Sequence, residues 1–71
     1  MDAEILKKQE SAVEAVLFAM GQSVEIRQLA AALETGEKEA ETAAERLKER
    51  YDKEKSGMQI LRLGDSYQMG T

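Results

Sequence analysis

Carboxylates are the only side chains of this sequence numerous enough to suggest acid–base or metal chemistry. Glu37, Glu41 and Glu45 stand four residues apart, so a helix would carry them in one row, as a hard cation's oxygen ligands are sometimes carried. Such a site needs further oxygens converging from elsewhere. This row is interleaved with Lys and Arg, the pattern of a solvated helix face. Ser11, Ser23, Ser56 and Ser66 offer hydroxyls without a base to activate them. The chain has no His and no Cys, which removes the commonest general base, the commonest zinc ligand and any thiolate site. There is no glycine-rich phosphate loop and no dinucleotide fingerprint. These residues predict a protein that is not an enzyme and uses no cofactor or metal.

The elements that would hold any site must come from a short chain. Its 71 residues make one domain with a modest core. Domains of this size often lean on disulfides, metals or partners. Without Cys or His, the staple left is a partner chain. No run approaches the ~20 apolar residues of a membrane span. The acidic start lacks the apolar centre of a signal peptide, so no membrane association and a cytoplasmic location are expected.

Apolar spacing divides the chain into three helices and a hairpin. Over residues 3–20, Ile5, Leu6, Val13, Val16, Leu17 and Met20 fall on one helical face, and Gly21 suits the helix end. Ala15 and Phe18 point away from that stripe, which makes the end of this helix apolar nearly all round. Residues 22–24 form a short link, read as a minimal first strand pairing with the hairpin. A second helix starts at Ser23 or Glu25 and turns Ile26, Leu29, Ala30 and Leu33 inward. Glu34, Thr35 and Gly36 make a turn, with Thr35 or Gly36 as the next N-cap. The third helix spans residues 37–54, with Ala40, Ala43, Ala44, Leu47 and Tyr51 inward, and ends over residues 55–57. On its outer face Glu41–Glu45 is a repulsive spacing and Glu49–Lys53 a favourable one. Residues 58–69 then alternate about Gly64-Asp65 as a hairpin: Met58 with Ile60 on one face, Leu61 with Leu63 on the other, and Tyr67 with Met69 together. The predicted fold class is α+β, mainly α: a winged helix-turn-helix of three helices plus a C-terminal β-hairpin wing.

Winged helices bind DNA or grip proteins, and charge separates the two uses. Formal net charge is −4. The third helix, which would enter the major groove, leads with Glu37, Glu39 and Glu41, and residues 37–55 hold seven acids against six bases. The wing adds only Arg62, offset by Asp65. Direct DNA binding is therefore disfavoured. The alternative, a DNA-binding transcription regulator, would rest on Lys48, Lys53 and Arg62. A generic winged-helix adaptor is a third reading. Phe18 off its stripe, together with a hairpin apolar on both faces, favours a protein interface, with a two-fold dimer as the simplest self-association.

The order and spacing of several short patterns carry a more specific resemblance. They are Glu14-Ala15-Val16-Leu17-Phe18, Gly21, Val24, Leu29-Ala30 and Leu33, then residues 47–51, Gly57 with Ile60, and residues 66–71. Together they resemble the amino-terminal winged-helix domain of the bacterial segregation and condensation protein B family. Gly36, where the family often has Ser or Thr, and Ala40 and Ala44, where it has larger aliphatics, depart from the pattern, as do positions around Ile60 and Leu61. The resemblance implies a non-enzymatic, dimerising subunit of the SMC–kleisin complex, which acts in chromosome condensation and segregation during cell division. It implies binding to the kleisin subunit (segregation and condensation protein A), and through it to the SMC ATPase. It also implies that residues 1–71 are the amino-terminal fragment of a longer two-domain protein. Val16, Phe18, Leu61 and Tyr67 are the expected dimer or kleisin contacts, as the apolar groups with most claim to a second face.

Overall fold

The computed structural model describes residues 3–54 and 57–71. Its elements are α1 (Ala3–Met20), β1 (Val24–Glu25), α2 (Ile26–Leu33), α3 (Glu37–Glu54), β2 (Gln59–Leu63) and β3 (Ser66–Gly70). The strands form one antiparallel sheet in the order β1-β3-β2. This is the winged helix expected from the sequence. The expected helix end at Lys55 and Ser56 lies outside the described residues.

Helix α1 buries Val13 and Leu17 completely, while Leu6 and Val16 are half-buried. The two ends of its apolar stripe do not join the core: Ile5 and Met20 are about half exposed. Spacing puts them on the right side of the helix, but α1 is longer than the body it packs on. Gly21 ends the helix with φ +64 and donates its N–H to the Leu17 carbonyl at 3.3 Å. That left-handed conformation is one glycine adopts without steric cost.

Glu25 is the N-cap of α2, and its N–H donates to the Gln28 side chain at 2.9 Å. At the other end Glu34 takes a left-handed conformation, φ 57. The N–H groups of Glu34 and Thr35 donate back to the carbonyls of Ala31 and Ala30. Gly36, not Thr35, starts α3: its carbonyl accepts from Ala40 N–H at 3.1 Å, while the Thr35 hydroxyl donates to Gly36.

Ala40, Ala43, Ala44 and Leu47 are all within 1% of full burial, where α3 meets α1, α2 and the sheet. Small side chains let those backbones approach closely. The core closes with Val24, Ile26, Leu29, Ala30, Ile60, Tyr67 and Met69, and with Met58, Leu33 and Tyr51 at its margin. The hairpin register is unbroken from Gln59↔Gly70 to Leu63↔Ser66, leaving Gly64 and Asp65 as a two-residue turn. Gly64 has φ +63, the pattern of a type II′ turn, whose twist suits a hairpin.

Candidate partner-binding surface

The register assigns each hairpin side chain to a face. Ile60 and Arg62 share the inner face with Met69 and Tyr67, their cross-strand partners, and Met58 just before β2 also packs against the core. Leu61 and Leu63 share the outer face with Gln68 and Ser66. Leu61 is 42% exposed and Leu63 56%, although both belong to a five-residue strand in a small domain. On α1, Phe18 is 74% exposed while its neighbour Leu17 is completely buried. Together with Ile5 and Met20 these are the large apolar side chains most exposed among the described residues.

The four expected contact residues therefore separate. Phe18 and Leu61 are on the surface. Val16 is half-buried, packed against the core and able to contribute only an edge. Tyr67 is a correction: it is completely buried and is the largest fully buried side chain of the domain. Its position on β3, the central strand, places the ring over α3 with no second face left to offer. Leu63 is not among the expected contacts, although alternation already places it on the same face as Leu61 and it is the more exposed of the two.

The polar surface is closed where the apolar surface is open. Arg62 reaches from β2 to α3, with Nη2 2.6 Å from Glu41 and Nη1 3.0 Å from Glu45. Its Nε donates to the Gly64 carbonyl at 2.9 Å, and its guanidinium lies 5.3 Å from the Tyr67 ring centroid. The Tyr67 hydroxyl also donates to Glu45. That hydrogen bond, followed by Arg62, holds the Glu45 carboxyl below the ordinary carboxylate range, against the opposing effect of burial. Burial, and then Glu45, raise the Tyr67 phenol. The repulsive Glu41–Glu45 spacing is thus resolved by a cation from another element. The same clamp occupies two members of the carboxylate row, and among the described residues no cluster of acidic groups could hold a metal ion.

A second polar seam joins α1 to α3. Glu10 is nearly buried and accepts from Arg46 at 3.0 Å, with Arg50 at 3.6 Å. Glu14 accepts from the Tyr51 hydroxyl and lies 3.8 Å from Arg50. Lys48 pairs with Asp52, Lys53 with Glu49 and Arg27 with Glu25. All four arginines, and the Lys48, Lys53 and Arg62 on which a DNA-binding reading depends, are engaged by carboxylates of the chain itself. Phosphate contact would have to compete with these pairs.

Comparison with known proteins decides the family. The sequence profile described as "Segregation and condensation complex subunit ScpB" matches residues 11–71. The chain belongs to the ScpB family. It is 48% identical over 63 residues to segregation and condensation protein B of Caldanaerobacter subterraneus subsp. tengcongensis, covering 89% of this chain and 38% of that protein. It is 35% identical over 71 residues to the protein of the same name from Alkaliphilus oremlandii, covering 100% of this chain and 37% of that one. The chain thus spans well under half the length of these relatives. Among solved structures it is similar to a ScpB N-terminal domain, crystallised as a dimer complexed with ScpA peptide. That match has a TM-score of 0.85 and 37% identity, over 93% of this chain and 83% of the other. No helix among the described residues is long and apolar enough to cross a membrane.

Proposed function

We propose that this ScpB-family domain is a non-enzymatic scaffold of the SMC–kleisin complex, acting in the cytoplasm in chromosome condensation and segregation. Its share of the work is to pair with a second copy and to bind the kleisin subunit, ScpA. The carrying observation is its likeness to a solved domain that is itself dimeric and peptide-bound. Open apolar groups beside paired charges support the reading: Phe18, Leu61 and Leu63 supply the contact surface and Val16 its edge, while phosphate would have to compete with carboxylates for Arg46, Arg50 and Arg62. Burying a side chain such as Phe18 or Leu contributes roughly 1.5–3 kcal/mol each, so a few of them across a two-fold axis make a useful interface.

Sedimentation equilibrium of the 71-residue chain, alone and with ScpA peptide, tests this. A dimer that Phe18→Glu converts to a helical monomer is the expected result. A wild-type chain that stays monomeric and ignores the peptide, yet binds duplex DNA in a salt-dependent way, would transfer the domain to the regulator class.

A further inference from the structure

We infer that the open edge of β2 takes up an extended peptide as an additional antiparallel or parallel strand, next to Leu61 and Leu63. This rests on the peptide-binding reading above and assigns it a place.

The sheet has two edges, and only one is available. The β1 edge is two residues long and runs directly into α2, and its outward Glu25 N–H is already taken by the Gln28 side chain at 2.9 Å. The β2 edge is five residues long. Its polarity follows from the register. Across a two-residue turn, Leu63↔Ser66 is a hydrogen-bonded pair, and the alternation makes Leu61↔Gln68 and Gln59↔Gly70 hydrogen-bonded too. The bond from Ile26 N–H to the Asp65 carbonyl, at 2.8 Å, agrees, since it directs the odd-numbered residues of β3 toward β1. The backbone N–H and C=O groups of Ile60 and Arg62 therefore point out of the sheet, at the spacing an added strand uses.

Edge strands are normally protected by proline, a bulge, a free charge or an overlying element. The chain has no proline, and the β2–β3 register has no bulge. The only charged side chain of β2 is Arg62, which is drawn inward onto Glu41 and Glu45. Leu61 and Leu63, two residues apart on the outer face, would receive alternate side chains of the incoming strand.

Charge selects a peptide over a second copy at this edge. Joining two β2 strands edge to edge would bring together two α3 helices, whose first halves carry Glu37, Glu39, Glu41 and Glu45 against only Lys38 and the Arg62 of each β2. Like-charged helices would then lie side by side. An isolated strand brings no such layer. The fitting ligand is an extended segment, apolar at alternate positions and without acidic residues on the face toward Glu41 and Glu45.

Amide hydrogen exchange of the full chain, read by NMR with and without ScpA peptide, tests the placement. Free, the Leu61 and Leu63 amides should be protected and those of Ile60 and Arg62 should exchange readily. Saturating peptide should slow Ile60 and Arg62 by about tenfold or more. Peptide that binds by calorimetry yet leaves both amides fast overturns the edge and leaves the reading standing. Protection of both amides that grows with protein concentration before peptide is added assigns the edge to a second copy and overturns the occupant. Peptide that does not bind overturns the reading and this inference with it.

Discussion

Arg62 of the wing and Glu41 of α3 meet at 2.6 Å across 21 positions of sequence, and the same guanidinium holds Glu45 one helical turn further on. One side chain thereby pairs with two carboxylates, ties the wing to the helix and covers one side of Tyr67. Arg62→Met keeps the stem and removes the clamp. It should lower the thermal midpoint at low salt, with the deficit shrinking as salt screens the freed carboxylates. Differential scanning calorimetry at two salt concentrations reads this; equal midpoints at low salt would show that the clamp adds nothing to stability.

Leu17 and Phe18 are adjacent in sequence and opposite in fate. Leu17→Ala removes completely buried atoms and should cost about 2–5 kcal/mol. Phe18→Ala, from a site 74% exposed, should stay within about 0.5 kcal/mol of wild type in a monomer. Urea unfolding at low protein concentration separates them. A large loss for Phe18→Ala under those conditions would place its ring in the monomer's own stability.

Alkaline stability should follow the two tyrosines. The Glu14 hydrogen bond, with burial adding to it, pushes Tyr51 up to about 12 from its ordinary 10.0, and Tyr67 is raised as well. Groups raised in the folded state contribute fully below the unfolded value, so stability should be flat to about pH 10 and fall as pH climbs toward 12. Tyr51→Phe should flatten part of that fall. An unchanged slope in the variant would remove Tyr51 from the account. At the acid end Glu45 has the opposite sign: its contribution is present above the ordinary 4.5 and lost as pH drops below it.

Glu34 holds a left-handed conformation that costs an ordinary side chain roughly 1 kcal/mol. Glu34→Gly should therefore stabilise the domain by about that amount, whereas Glu34→Ala should not. Chemical denaturation of both variants checks it, and equal stabilities would show that φ is not the source.

Local rules carried most of the fold. The 3–20 and 37–54 helices appear with those bounds, since each rests on a long amphipathic repeat, and Gly64-Asp65 turns the hairpin where the two apolar runs part. The site was harder to read. Alternation placed Tyr67 with Met69 but could not say which face α3 would cover, and covering that face made Tyr67 the buried centre and Leu61 with Leu63 the surface. Helical spacing grouped Ile5 and Met20 with Leu17, but only the length of the underlying body decides where a stripe stops being core.

By itself the sequence determined the order of elements, their inward faces, the absence of His and Cys and the family, because each depends on residue types and short-range spacing. Only the tertiary structure decided that Arg62 serves Glu41 and Glu45, that Glu10 lies between Arg46 and Arg50, that Glu34 turns left-handed and that β2 keeps an open edge. The pairings join positions 17 to 40 residues apart, and the other two depend on neighbouring elements. Local periodicity says which way a side chain points; the element packed against it determines what it meets.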